Sequence, residues 1–303
     1  MKIVVTGCNG RLGQTVCEVL LASGHVVAGI DRAAAGERPH PFVIDTLLNP
    51  FAIHRVFDLL AGQVEAVVHL ANHVNAMAAP AEQVLRENLA MNTSVFVAAA
   101  QAGATRAVFA SSVQAMLGGH EADGSANVRM PHALPVSEKI ECRPTNAYGL
   151  SKVLTETMLD HLCDPKRFGQ TLSAVSLRFP YILAPQGLEA TVTRTAPLDF
   201  IWGGSEAFSY IAREDAAEAI RLALEAPIAG HRALWCAAPD PRTSEPVSSL
   251  VERFYSAVPG ADEALRRDSL VDCDAAAAAI GWRATRVARE ERSRRGPSAP
   301  AHA

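Results

Sequence analysis

Tyr148 and Lys152 stand four residues apart in Tyr148-Gly149-Leu150-Ser151-Lys152, a spacing that puts both side chains on one face of a helix. A free phenol titrates near ~10 and is a poor acid–base group at neutral pH. A neighbouring ammonium favours the phenolate and draws it toward a working range. Ser111-Ser112 closes the apolar run Ala107-Val108-Phe109-Ala110. A hydroxyl at such a strand end can hydrogen-bond a substrate oxygen while its proton moves. Alone, Tyr-x-x-x-Lys is common and reads as a surface pair, so its setting decides its meaning.

That setting is the turn Thr6-Gly7-Cys8-Asn9-Gly10-Arg11-Leu12-Gly13. It follows the apolar run Ile3-Val4-Val5 and opens a segment with apolar residues at helical spacing, Leu12, Val16, Val19 and Leu20. Strand, glycine turn and helix in that order are the context in which such a turn means dinucleotide binding. The glycines allow a tight turn, close approach of a pyrophosphate and close helix–strand packing, and the helix N-terminus offers free N–H groups. Asp31 lies eighteen positions after Gly13 at the end of a second strand, where a carboxylate accepts from ribose hydroxyls and favours NAD over NADP. Arg32 beside it is the alternative, a guanidinium for a 2′-phosphate. Asp45 follows Phe42-Val43-Ile44, within reach of the adenine or as an ordinary loop aspartate. With a nicotinamide dinucleotide bound, the positive ring adds to Lys152 in stabilising the phenolate.

The elements that must position these groups alternate. Strands are expected at 3–5, 25–30, 64–70, 107–110 and 171–177, and helices at 50–61, 84–102, 148–162 and 212–224. That alternation predicts an α/β fold, a Rossmann-type doubly wound parallel sheet with right-handed crossovers. Residues 1–180 read as the dinucleotide-binding domain, with some later segments returning to it. Residues 181–285 read as mainly a smaller C-terminal substrate lobe, and the arginine-rich 286–303 as a disordered tail. The glycine- and proline-rich 113–147 reads as a substrate-covering lid.

Composition narrows the class. Nearly half of the 303 residues are apolar and the net charge is −4, which disfavours a nucleic-acid binder or a disordered chain. No apolar run approaches the ~18 residues of a membrane span. A strand at the very start leaves no room for a signal peptide, so a cytoplasmic protein is expected. The six scattered cysteines lack any C-x-x-C and read as free thiols, with no metal site.

On these motifs the chain resembles an extended short-chain dehydrogenase/reductase of the NAD-dependent epimerase/dehydratase family, over roughly residues 1–283. The matching residues are the turn at 6–13, Asp31, His69-Leu70-Ala71, Asn88, Ser111-Ser112, Tyr148 with Lys152, and Leu177-Arg178-Phe179-Pro180. Later matches are Tyr210-Ile211-Ala212-Arg213-Glu214-Asp215 and Ile280-Gly281-Trp282. The resemblance implies that Ser112 positions the substrate, Tyr148 is the acid/base, and Lys152 orients the ribose and lowers the phenol pKa. It implies cofactor contacts from Gly7, Asn9, Gly10, Arg11, Leu12, Gly13, Leu70, Ala71, Asn88, Ala110 and Pro180, besides Tyr148 and Lys152. Many relatives dimerise through two helices, here 84–102 and 148–162, and Val95, Phe96, Leu154 and Met158 read equally as the face of such a homodimer or as intramolecular core.

The departures bear on substrate. Val113-Gln114 follow Ser112 where family dehydratases tend to carry Asp-Glu, so sugar-nucleotide dehydration is not expected. Tyr181 stands where many nucleotide-sugar enzymes have Asn, and 186–207 offers only Arg194 as a basic clamp. His73, Asn75, Ser111, Ser112, Tyr181 and Arg194 are the expected substrate contacts. The reading is an NAD(P)-dependent oxidoreductase transferring hydride at a carbinol or carbonyl carbon of a sugar-like or other polyfunctional small molecule. The alternatives are a nucleotide-sugar epimerase holding NAD tightly and a non-catalytic NAD(P)-sensing regulator.

Overall fold

The computed structural model describes residues 1–118, 130–168, 172–184 and 200–288. Seven strands form one parallel sheet: β1 (Lys2–Thr6), β2 (Val26–Asp31), β3 (Phe42–Ile44), β4 (Ala66–His69), β5 (Arg106–Ser112), β6 (Ser173–Phe179) and, later, His231–Trp235. Parallel strands covered on both faces are written as continuous apolar runs rather than alternations. Thus β4 and β6 are buried at every position. Helices α1 (Arg11–Ala22), α2 (Ala52–Asp58), α3 (Ala81–Gln101) and α4 (Ala147–Leu162) connect them.

The sheet order is β3-β2-β1-β4-β5-β6 followed by His231–Trp235. Chain direction across the sheet reverses between β1 and β4, and the crevice beyond strand ends at such a switch point is where open α/β sheets bind ligands. Gly7 leaves β1 there, and Leu70-Ala71 leave β4 beside it.

Four short strands depart from the sequence expectation. Phe42–Ile44 pairs with β2 as the edge strand, and His231–Trp235 pairs with β6 at the other edge. The pair β7 (Tyr181–Leu183) and β8 (Tyr210–Ala212) forms a separate two-stranded sheet. Strands of three to five residues carry too little pattern to separate them from loops. Within 113–147, the described ends are anchored rather than lid-like. The Val136 N–H donates to Leu270 O at 2.8 Å, its carbonyl accepts from Asp272 N–H at 2.8 Å, and Leu134 and Val136 sit in an apolar cluster with Trp235 and Tyr255. Residues 119–129 lie outside the described residues.

The first residues of the expected tail are also tied down. Asp215 accepts from Thr285 and Arg286 N–H groups at 3.0 and 2.8 Å, and Ala288 N–H donates to the Tyr210 hydroxyl at 2.6 Å. The remainder, 289–303, lies outside the described residues. Val95 and Phe96 face the intramolecular core, fully buried, because α3 packs on the sheet through them. Leu150 and Leu154 are the exposed apolar residues of α4. Among the described residues no helix is long and apolar enough to cross a membrane, and no His, Cys, Asp and Glu gather as a metal site. All six cysteines are free, and burial pushes the Cys8 and Cys17 thiols up to about 12.

Candidate active site

The glycine turn is built by close approach. Gly7 takes φ +71°, in the left-handed region, and its N–H donates to Ile30 O at 2.8 Å. A Cβ on Gly13 would stand 2.0 Å from Gly7 O, so only glycine lets α1 start this near the turn. The N–H of Gly10 closes the turn on Gly7 O at 3.0 Å. The first N–H groups of α1, at Arg11, Leu12 and Gly13, have no intrahelical acceptor and face the cavity end where Gly7, Gly10 and these residues form the wall. A cradle without side chains, lined with backbone donors, fits a dinucleotide pyrophosphate.

Asp31 holds this turn as well as flanking it. Its carboxylate accepts from Asn9 and Ala33 N–H groups, both at 2.9 Å, and keeps acceptor capacity for ribose hydroxyls. Arg32 is exposed, while Arg38 donates to Asn9 Oδ1 at 3.3 Å. Arg38 was not anticipated, because the loop 32–41 carries no periodic signal. Asp45 is engaged elsewhere. It accepts from Thr46 N–H, the Asn49 amide and the Arg55 guanidinium at 2.7, 2.9 and 2.8 Å.

Between the strand end and α4 runs a buried polar chain. Thr6 Oγ1 accepts from Leu70 and Ala71 N–H groups at 3.2 Å each, leaving its proton for His69 Nδ1 at 2.7 Å. The Nε2–H of His69 then donates to Asn92 Oδ1 at 2.7 Å, and the Asn92 amide donates to Thr155 Oγ1 at 2.7 Å. Burial holds His69 down at about 3, so it stays neutral. The unfolded chain protonates it near ~6.5, so its contribution is fully present above that pH and is lost as pH falls toward about 3. The His69 ring resonances are therefore expected to keep their neutral NMR shifts at pH 5, where surface histidines have titrated. A His69 ring that titrates near pH 6 would contradict this wiring.

Asn88, expected as a cofactor contact, is buried and bonded within the protein rather than lining the cavity. It is 0% exposed, its Oδ1 accepting from His73 N–H at 2.8 Å and its amide donating to Ser151 Oγ at 3.0 Å. It positions the loop after β4 against α4. His73 lines the cavity and is held by Glu87 at 2.8 Å, and that hydrogen bond keeps the Glu87 carboxyl below the usual range.

Helix α4 begins at Asn146, whose Oδ1 accepts from Gly149 N–H at 2.8 Å, the expected N-cap geometry. Tyr148 and Lys152 follow on the cavity side, 9% and 3% exposed. Lys152 Nζ donates to Ala110 O at 2.9 Å and lies 5.2 Å from the centre of the Tyr148 ring. Burial pushes the phenol up to about 12, with a hydrogen bond from Ser112 opposing and the charge of Glu206 adding to the rise. Burial pulls Lys152 down to about 7, against which Glu156 favours its charged form. Ser112 accepts from Gln114 N–H at 3.2 Å, which turns the chain after β5 toward α4.

The junction tolerates no methyl group. A Cβ on Gly149 would stand 2.1 Å from the Gln114 carbonyl oxygen. Gly149→Ala is expected to cost about 1–3 kcal/mol, the range for overpacking, and to separate Tyr148 from Ser112. Thermal unfolding and turnover together check it, and wild-type values for both would contradict the packing.

Ser111 also lines the cavity, but its hydroxyl donates to Glu156 Oε1 at 2.6 Å. Glu156 pairs with Arg178 at 2.7 Å, both side chains below 10% exposed. Substrate-side residues complete a cavity of about 800 Å³. Asn75, Pro180 and Tyr181 line it as expected, and Arg194 lies outside the described residues. Gln114, Glu206, Arg213 and Arg242 line it too, and none was among the contacts expected from the sequence. Arg213 sits in a matched motif, which was its one signal. Its Nε is buried without a partner, and Arg242 rests 4.8 Å from the centre of the Tyr181 ring. The positive charge sought in 186–207 is thus supplied from other segments.

Parallel sheet, glycine cradle and Tyr–Lys helix together define a dinucleotide-dependent enzyme class. A family model, the NAD dependent epimerase/dehydratase family, matches residues 3–234, and the chain belongs to that family. It is 30% identical over 187 residues to a UDP-glucose 4-epimerase of Corynebacterium glutamicum, covering 59% of this chain and 50% of the relative. It is 28% identical over 181 residues to a uronate dehydrogenase of Pseudomonas syringae pv. tomato, covering 58% of each. The chain spans about half the length of the relatives it matches. Among solved structures, the fold is shared with MoeE5 in complex with UDP-glucuronic acid and NAD (TM-score 0.68, 19% identity, 96% of each chain). It is shared equally with the Thermotoga maritima UDP-glucose 4-epimerase (TM-score 0.67, 19% identity, 94% of each chain).

Proposed function

We propose that this chain is an NAD-dependent oxidoreductase acting at a carbinol or carbonyl carbon of a sugar-like small molecule, with Ser112, Tyr148 and Lys152 as its working residues. The observation that carries the reading is that these three side chains line the same cavity as the side-chain-free glycine cradle. Bound nicotinamide supplies the hydride acceptor or donor, and its oxidised ring is positive. Ser112 holds the reacting oxygen. The Tyr148 phenolate takes the hydroxyl proton as the carbinol carbon gives up its hydride, and the phenol returns that proton in the reverse direction. Lys152, charged and anchored on Ala110 O, supports the phenolate that burial alone would suppress. Asp31 favours NAD, with its carboxylate beside the turn and no guanidinium bonded to it among the described residues.

A second reading, a nucleotide-sugar epimerase, is favoured by Arg213 and Arg242, a cationic wall suited to a diphosphate. One panel separates them. Purified protein is given NAD⁺ with aldoses, uronic acids, sugar phosphates and nucleotide sugars, followed by NADH absorbance and product NMR. Stoichiometric NADH with an oxidised product supports the oxidoreductase. Turnover without net NADH supports the epimerase, and tight NAD binding without any turnover overturns both in favour of a sensor. A homodimer through the exposed Leu150 and Leu154 face of α4 is part of the same reading, and sedimentation showing only monomer at micromolar concentration would refute it.

A further inference from the structure

Glu206 is the sole carboxylate among the described residues lining the cavity. It follows the short helix Phe200–Ser205, and its backbone is fixed from both sides. Its N–H donates to Gly203 O at 3.2 Å, and its carbonyl accepts from Ser209 Oγ at 2.6 Å. One carboxylate oxygen accepts from Gln114 Nε2 at 3.0 Å. Gln114 in turn accepts from the Asn146 amide at 3.1 Å, and its N–H donates to Ser112 Oγ at 3.2 Å. Glu206 is therefore bonded into the frame that holds Ser112 and the start of α4, and its charge is felt at the Tyr148 phenol.

The second carboxylate oxygen has no protein donor among the described residues. Burial pushes the Glu206 carboxyl up, while the charge of Arg242, which lines the same cavity, pulls it down without an ion pair within 4.0 Å. A carboxylate and a guanidinium facing one space, close enough to interact and too far apart to bond, suit a group that donates to one and accepts from the other. A hydroxyl does both. An apolar substituent would leave the carboxylate unpaired, at a cost, and an anion would be repelled by it.

We infer that Glu206, braced by Gln114 and faced by Arg242, is a specificity-determining subsite for a second substrate hydroxyl beside the reacting one. The inference rests on the oxidoreductase reading only for which oxygen reacts; the subsite itself is a binding claim. Protein saturated with NAD⁺ is titrated calorimetrically, wild type and Glu206→Gln, with D-glucose, D-glucuronate, D-glucose 6-phosphate and UDP-glucose. The same titrations use the 2-deoxy counterpart of each of the four probes, with turnover measured alongside.

A hydrogen bond to a charged group predicts ~10–100-fold weaker binding of the best hydroxylated probe in Glu206→Gln, with its 2-deoxy counterpart nearly unchanged. Glu206→Asp, which keeps the charge on a shorter arm, is expected to recover part of the loss and guards against misfolding of the amide variant. The variant should also lower the pH at which Tyr148 ionises, because a negative charge next to the phenol is gone. Equal weakening for hydroxylated and deoxy probes, or none for either, overturns the subsite. So does failure of every probe to bind wild type. Glu206-dependent binding without turnover leaves the subsite standing and strikes the oxidoreductase reading instead.

Discussion

Tyr148→Phe is expected to lower turnover by ~10²–10⁴, the span of a positioned general acid–base group, while the affinity for NAD⁺ stays near that of wild type. The substitution removes one oxygen and keeps the ring. Lys152 thus retains both its bond to Ala110 O and its place beside the ring, 5.2 Å from its centre. The cradle at Gly7–Gly13 is untouched. What disappears is the proposed proton carrier, and no other lining residue is expected to substitute for it. Ser112 is a far weaker acid, and Glu206 is held through one oxygen by Gln114 with the other assigned to a second hydroxyl. Steady-state kinetics on a substrate from the panel and calorimetry with NAD⁺ check the two halves. Turnover retained within a few-fold would remove Tyr148 from the chemistry.

Glu156→Ala should produce the largest loss of stability. Arg178 would keep its charge below 10% exposure with no carboxylate beside it, and breaking a buried pair this way costs about 3–5 kcal/mol. The neighbouring partners of Arg178, the Met116 and Cys142 sulfurs, are weak acceptors and cannot replace a carboxylate. Two further effects follow at the site. Ser111 loses its acceptor, and Lys152 loses the charge that favours its ammonium form. The Lys152 pKa should then fall below about 7, so the charged fraction at neutral pH drops and the alkaline limb of activity moves to lower pH. Urea unfolding and a pH–rate profile test both effects. A variant within ~0.5 kcal/mol of wild type, the scatter of ordinary surface substitutions, would mean the pair is better hydrated than its burial implies.

What was legible in the sequence follows from how each feature is encoded. β1, the glycine turn and α1 are written locally, since a strand buried on both faces must be apolar throughout and a turn that would put an added Cβ 2.0 Å from a carbonyl oxygen admits only glycine. Tyr148 and Lys152 were legible because a helix fixes the geometry of residues four apart. Glu206 and Arg242 were not, for they meet Gln114 and Tyr181 across 92 and 61 positions and stand in segments without a period. Asp45, open in the sequence between an adenine contact and an ordinary loop aspartate, is bonded to Arg55 on the next helix, a pairing across ten positions that no local pattern announces. Asn88 was found by motif, but only packing reveals that both ends of its amide are bonded inside the protein.

The switch point between β1 and β4 has a consequence for the order in which the site comes into being. The cradle closes with Gly7, Gly10 and Leu70-Ala71, all at or before residue 71 of this sequence. The wall facing it ends with Glu206, Arg213 and Arg242. N-terminal segments generally organise first during synthesis. The segments that form the cradle are therefore synthesised well over a hundred residues before those that complete the facing wall.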